Sequence, residues 1–453
     1  MKFDLHCTRP VIENGDLVGI EKAVLVYDNM TNELVDPFGE AFVFAQENLF
    51  DNTKVSTKIS EQNPGIKSKK VSRIKIQMGL SCNYSCEYCS QRFVPNAPET
   101  NPQYVDKFVA AMKTHIEGEP KRIEFWGGEP FVYWKTMKPL AYALREAYPN
   151  TMFSTITNGS LITDEIIDFL VELNFSIGLS HDGPGQHIRG PDPFDDPEKA
   201  RMILKLWNTL GYDRMSFNPM LHKESMDRVA VIEWFKAKLG TDHFRLGEGE
   251  IIDTYDEGGV ASSFPTIADH YAFRERTMHQ IRNNELTHFV TLNDRMDDFM
   301  RGIWRGRNAD TLYQKCSMDR EDQLAVDLRG NVLTCQNVSA VSTAGNGRPH
   351  LMGHLSRIED VKVRTATHWK FRDKCTNCPV LQSCRGSCMF LQKELFEASC
   401  NNAYTDHIPF FAASIEALTG WLPYKIEAQG YELPEERKWL WGLPPPSPVQ
   451  EEK

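Results

Sequence analysis

Between Val71 and about Gly249, short apolar stretches alternate with longer ones in which apolar residues recur every three or four positions. The short stretches Arg73–Met78, Arg122–Trp126, Met152–Thr157, Phe175–Ser180, Met215–Met220 and Phe244–Leu246 predict strands. Val105, Phe108, Val109, Met112 and Ile116 share one helical face, and so do Met137, Leu140, Leu144 and Tyr148. Asp196 and Pro197 supply an N-cap and a first-turn proline ahead of Ala200, Ile203, Leu204 and Trp207. Six strands joined by helical crossovers predict an α/β chain with a parallel sheet, doubly wound or curled into a partial barrel.

The flanks read differently. In residues 1–70, a lead-in that caps the barrel or binds a partner, Ala23–Tyr27 and Ala41–Phe44 predict strands. The polar, lysine-rich stretch 51–70 predicts a linker. Residues 251–310 predict a helical bridge, and residues 311–422 a cysteine-rich domain that ends in a helix after Cys400. Residues 423–453 predict a tail, since the proline run Gly442–Pro448 suits neither a regular helix nor a central strand.

Composition narrows the class. With 453 residues, 41% hydrophobic and 25% charged, the chain has the balance of a globular protein of two or three domains. A net charge of −11 argues against an extended nucleic-acid or anionic-membrane surface. The segment Met1–Cys7 has no signal-peptide character, and no apolar run reaches the ~18 residues of a membrane span. A cytoplasmic location is expected. Eleven cysteines are too few, and odd in number, for a disulfide scaffold; their clustering points to metal sites in a reducing compartment.

The chemistry concentrates at Cys82, Cys86 and Cys89, a C-x3-C-x2-C triplet just past the first predicted strand. That is the edge of a parallel sheet where ligands bind. Three thiolates on a four-iron cluster leave one iron free to bind a small molecule; zinc with a fourth ligand elsewhere is the alternative. Gly127-Gly128-Glu129-Pro130 follows the second strand, and its glycines would let a ligand approach the backbone. Thr157-Asn158-Gly159 and Ser180-His181-Asp182-Gly183 follow the third and fourth.

With these motifs, the chain resembles a radical S-adenosylmethionine (SAM) enzyme over roughly residues 71–250. The triplet with Tyr88 before its last cysteine matches that family's signature, and the Gly127–Pro130 run matches its second motif. The resemblance implies a (β/α)6 partial TIM barrel, with Cys82, Cys86 and Cys89 on a [4Fe–4S] cluster whose fourth iron chelates SAM. It implies that Glu129 holds the SAM amino group. Asn158, Ser180 and one arginine, Arg189 or Arg201, would contact its ribose or carboxylate. The implied chemistry is reductive cleavage of SAM to a 5′-deoxyadenosyl radical that abstracts hydrogen.

The C-terminal cysteines are spaced Cys316-x18-Cys335, then Cys375-x2-Cys378-x5-Cys384-x3-Cys388-x11-Cys400. Cys375-x2-Cys378 alone would suit zinc, but seven in this order resemble a SPASM extension, a small domain with two auxiliary iron–sulfur clusters. The resemblance implies Cys375, Cys378, Cys384 and Cys400 on one cluster and Cys316, Cys335 and Cys388 on the other. The latter lacks a fourth cysteine; substrate, solvent or an oxygen ligand such as Asp310 would complete it. Cys7 reads as a free thiol.

Two activities fit the resemblance: modification of a ribosomally made peptide, and sulfatase maturation to formylglycine. Maturases typically place an aspartate base after the cysteine that ends the G-x4-C run. Here Gln336 and Asn337 follow Cys335, and an amide cannot take that proton. The expected partners are a peptide substrate, an electron donor such as flavodoxin or ferredoxin and a separate leader-recognition protein, with neither nucleic acid nor membrane. Oxidation of a small molecule and a non-catalytic iron–sulfur or zinc scaffold are the remaining alternatives.

Overall fold

The computed structural model describes residues 1–44, 47–54, 65–98, 100–247, 249–345, 347–363 and 368–443. Strands are numbered along the chain: β1 Lys2–Glu13, β2 Asp16–Asp28, β3 Leu34–Val35, β4 Arg73–Gln77, β5 Arg122–Trp126 and β6 Met152–Thr157. They continue as β7 Phe175–Leu179, β8 Met215–Phe217, β9 Gln323–Asp327, β10 Asn331–Leu333, β11 Leu351–His354 and β12 Leu422–Ala428.

The central sheet has the order β11-β10-β9-β4-β5-β6-β7-β8. β9 and β4 to β8 run parallel to one another, whereas β10 pairs antiparallel with both β9 and β11. The sheet is open, as a partial barrel requires. Helices Val105–His115, Trp134–Ala147, Asp164–Glu172 and Pro197–Arg214 form the crossovers. The apolar faces read from the sequence are the buried ones, including Phe108, Met112, Met137, Leu140, Leu144, Ile203 and Trp207. Asp196 caps the fourth of these helices, accepting from the backbone N–H of Glu198 and Lys199.

The sixth predicted strand is shorter than expected. Only Leu246 forms bridges, to Phe217 and to Phe289, both parallel. Gly247 follows at once, and a Cβ there would lie 2.3 Å from Asn218 Oδ1. Ala41–Phe44 is likewise reduced to one bridge, Val35 to Ala41.

β1 and β2 form a long hairpin in a second, antiparallel sheet of order β12-β1-β2-β3. Residues 422–443, which sequence reading assigned almost wholly to a tail, contribute β12 and a 3-10 turn at Glu435–Trp441. Phe3, Leu5 and Cys7 alternate inward on β1, and Trp421, Ile426 and Trp441 close the same core. Half of the expected linker, residues 55–64, and the proline run from Pro444 lie outside the described residues. No described helix is long and apolar enough to cross a membrane.

Candidate functional site

The loops that leave β4 to β7 at one edge of the sheet surround a cavity of about 510 Å³, within the range of small-molecule sites. Cys82, Cys86 and Cys89 line it together with Glu129, Asn158, Ser180 and Arg189. Gly127 and Gly128 line it as well, but their conformational task differs from the expected one. The N–H of Gly128 donates to Gly79 O at 2.9 Å and that of Glu129 to Ser81 O at 3.0 Å. A Cβ on Gly128 would lie 2.4 Å from Ser81 O. The glycines thus allow the cysteine loop itself to pack on the β5 loop. Pro130 starts a 3-10 turn beneath, capped by the Glu129 side chain.

Glu129 is 1% exposed. Its Oε1 accepts from Phe131 N at 3.1 Å and Thr157 Oγ1 at 2.8 Å; its Oε2 accepts from Asn158 N at 2.8 Å. Burial outweighs these donors and pushes its carboxyl up to about 7. Asn158 donates to Asn83 Oδ1 at 2.9 Å, which ties the β6 loop to the cysteine loop.

Arg189 and Arg201 part company. Arg189 reaches the cavity, its Nε donating to buried Asp182 Oδ1 at 2.8 Å and its guanidinium 5.5 Å from the Tyr88 ring. Arg201 lies on the exposed face of the Pro197–Arg214 helix, paired with Glu198 at 2.7 Å. Tyr88 donates to Asp182 Oδ2, and His222 Nε2 lies 3.3 Å from that oxygen. Burial opposes ionisation of Asp182, but Arg189 and His222 hold its carboxyl well below the usual range. His181 faces away from the cavity, bonded to Asp192 at 2.9 Å and stacked on Trp234.

Three residues that sequence reading missed, Gln91, Trp126 and Asn337, also line the cavity. Trp126 Nε1 donates to Asn337 Oδ1 at 2.8 Å, and Gln91 Nε2 donates to the same oxygen at 3.1 Å. The Asn337 backbone N–H donates to Cys335 Sγ at 3.4 Å. The cavity therefore borders on the first C-terminal cysteine set. No motif announces these three, since they come from three separate segments.

The C-terminal cysteines fall into two groups. Cys375, Cys378, Cys384 and Cys400 line one small cavity with Phe396 and Tyr404. Burial and the proximity of Cys400 and Cys384 raise the thiols of Cys375 and Cys378 well above their usual range. Cys316, Cys335 and Cys388 form the other group: burial raises Cys388, and Asp253, Cys316 and Cys335 act on it in that order. Gly330, at φ +85°, turns β9 into β10 and so delivers Cys335. Among the described residues no three His, Cys, Asp or Glu side chains converge on one ion.

Asp310 stands apart on the surface beside Lys370, at 3.5 Å. Asp319 is buried; it accepts from Gln314 N at 3.0 Å and lies 3.1 Å from His368 Nε2. Cys7 is enclosed in the core of the second sheet and donates to Leu5 O at 3.3 Å. Burial pushes its thiol up to about 12.

Comparison with known proteins agrees with this geometry. Residues 76–235 match the Radical SAM superfamily model. The radical SAM cyclopropyl synthase TigE of Paramaledivibacter caminithermalis is 22% identical over 349 residues, 71% of this chain and 68% of its own. A serine-type anaerobic sulfatase-maturating enzyme of Bacteroides thetaiotaomicron is 32% identical over 117 residues, 24% of this chain and 28% of its own. Among solved structures, native anSMEcpe with bound AdoMet and Cp18Cys peptide superposes with a TM-score of 0.54 at 19% identity, covering 77% of this chain and 99% of that one. That likeness shows a shared fold. The family uses SAM and a [4Fe–4S] cluster, and the three cysteines, the buried carboxylate and the arginine on one cavity wall suit both. Residues 76–235 are thus a Radical SAM domain, as the match to that superfamily's model shows.

Proposed function

We propose that this protein is a radical SAM enzyme that cleaves SAM and abstracts hydrogen from a peptide, in maturation of a ribosomally made precursor. The observation that carries the reading is one cavity lined by the cysteine triplet and Glu129 and also by Trp126 and Asn337, the latter bonded to Cys335. SAM fits the first set and a substrate the second.

Cys82, Cys86 and Cys89 would hold the SAM-binding cluster, which supplies one electron for cleavage of the carbon–sulfur bond. Glu129 accepts the SAM ammonium on the lone pair that its three protein donors leave. Asn158, Ser180 and Arg189 contact ribose or carboxylate; the surface pairing of Arg201 leaves Arg189 as the arginine of choice. Cys375, Cys378, Cys384 and Cys400 would hold one auxiliary cluster, and Cys316, Cys335 and Cys388 the other. An electron donor of the flavodoxin or ferredoxin type and a separate leader-recognition protein complete the proposed system.

Sulfatase-maturase-like oxidation is the second reading, supported by the fold shared with anSMEcpe. Gln336 disfavours it: it is 7% exposed and has no proton-accepting carboxylate to offer.

Anaerobic reconstitution of the full chain with iron and sulfide tests the cluster content. Three four-iron clusters give about twelve irons per chain, and a count near four would remove both auxiliary clusters from the scheme. Joint replacement of Cys82, Cys86 and Cys89 by alanine abolishes 5′-deoxyadenosine formation. Continued SAM cleavage in that variant would refute their role. Incubation with candidate precursor peptides, read by mass, then separates the chemistries: loss of two hydrogens marks crosslinking or dehydrogenation.

A further inference from the structure

The first auxiliary group holds three thiols, Cys316, Cys335 and Cys388, whereas each of the four irons in a cubane cluster takes one outside ligand. One carboxylate is tied to the residues that precede two of them. Asp253 Oδ1 accepts from Ser387 Oγ at 2.7 Å and from Ser399 Oγ at 2.6 Å. Ser387 immediately precedes Cys388, and Ser399 precedes Cys400. Asp253 Oδ2 is held only loosely, 3.4 Å from the Tyr255 hydroxyl and 4.0 Å from Nζ of Lys315, the residue before Cys316.

Tyr255, two residues beyond Asp253, packs against the same apolar cluster as Cys388.

We infer that Asp253 is the fourth protein ligand of the first auxiliary cluster, binding iron through Oδ2 while the two serines fix Oδ1. This rests on the reading of two auxiliary clusters. A carboxylate oxygen is a harder donor than a thiolate, so its iron is the exchangeable corner of that cluster. The serine donors orient the carboxylate as outer-shell partners do at other metal sites.

The test uses full-length protein, reconstituted anaerobically and labelled with carbon-13 at the aspartate side-chain carboxyl. Electron–nuclear double resonance on the reduced clusters is expected to show carbon-13 coupling at one auxiliary cluster. Asp253→Cys is expected to lose that coupling while keeping about twelve irons. Asp253→Ala is expected to lose about one iron on mild oxidation and to show a three-iron signal. Absence of coupling in the wild type would overturn the assignment, as would an oxidised Asp253→Ala spectrum and iron count equal to wild type. A wild-type count near four irons would overturn the two-cluster reading itself and the ligand with it, an outcome distinct from twelve irons without coupling.

Discussion

Three protein donors reach the Glu129 carboxylate, and about four lone-pair sites are available on it. Its carboxyl is pushed up to about 7, so the apo site holds a proton that an arriving ammonium expels. The sign follows. A carboxyl raised above its ordinary value costs stability as pH climbs from about 4.5 to about 7, and a bound cation relieves that cost. SAM affinity is expected to rise with pH up to and through about 7, and Glu129→Gln to flatten that rise. The same variant weakens SAM by a factor of about ten or more, the worth of a hydrogen bond between charged groups. Calorimetric titration in buffers of different ionisation heat reads both effects. Gly128→Ala acts on the neighbouring loop: its Cβ meets backbone at 2.4 Å, so the Cys82 loop must move. Loss of about four irons, with the others retained, is the expected result on reconstitution. The place of Asn158 and Ser180 on the cavity was legible because strand ends collect at one edge, whereas the sequence left Arg189 and Arg201 undivided. The contact made by Gly128 was not, because it depends on a loop some 45 residues earlier passing at van der Waals distance.

At the scale of elements, the loop between Cys316 and β9 is held from an unexpected quarter. Lys67, in the lysine-rich lead-in, is 2% exposed. Its Nζ donates to the carbonyls of Met318 at 2.8 Å, Arg320 at 2.6 Å and Gln323 at 2.8 Å. Burial lowers its amine to about 8 despite the pull of Asp319. Lys67→Met leaves three carbonyls without their donor, at a cost of about 2–4 kcal/mol, seen as a lower denaturation midpoint. Nothing in the composition of residues 51–70 distinguishes this lysine from its solvated neighbours. The crossover helices, by contrast, were legible to within a few residues, because Val105 through Met112 and Met137 through Leu144 keep a strict helical period. β1 went unread, although Phe3, Leu5 and Cys7 alternate in it as in a half-buried strand. Its partner β12 is invisible locally, since register across so long a separation is set by packing.

In the whole molecule, a chain of buried charges joins the radical SAM domain to the C-terminal helix Lys393–Thr419. Arg228 donates to Asp406, Arg295 bridges Asp406 at 2.8 Å and Glu250, and Lys315 meets Glu250 at 2.5 Å. Glu250 is held well below the carboxylate range against burial by Lys315 and Arg295. Asp406→Ala strands two buried guanidinium groups and is expected to cost about 3–5 kcal/mol. Thermal unfolding of the holoprotein measures this. Enclosure by protein pushes the Cys384 thiol up to about 11, so the iron proposed there would displace a proton. Reconstitution yield is accordingly expected to rise with pH, and removal of iron by chelation to lower the unfolding temperature.

β1 lies between β2, its hairpin partner, and β12. About 410 residues separate β1 from β12, and a ribosome adding about 5–20 residues per second needs roughly 20–80 s to cross that interval. Throughout it, the Lys2–Thr8 edge offers unpaired backbone to any passing chain. The yield of native protein is therefore governed by a waiting time. Slower synthesis at crowded polysomes lengthens the exposure, and supplying Leu422–Ala428 early, by joining it ahead of Lys2 in a permuted chain, removes it.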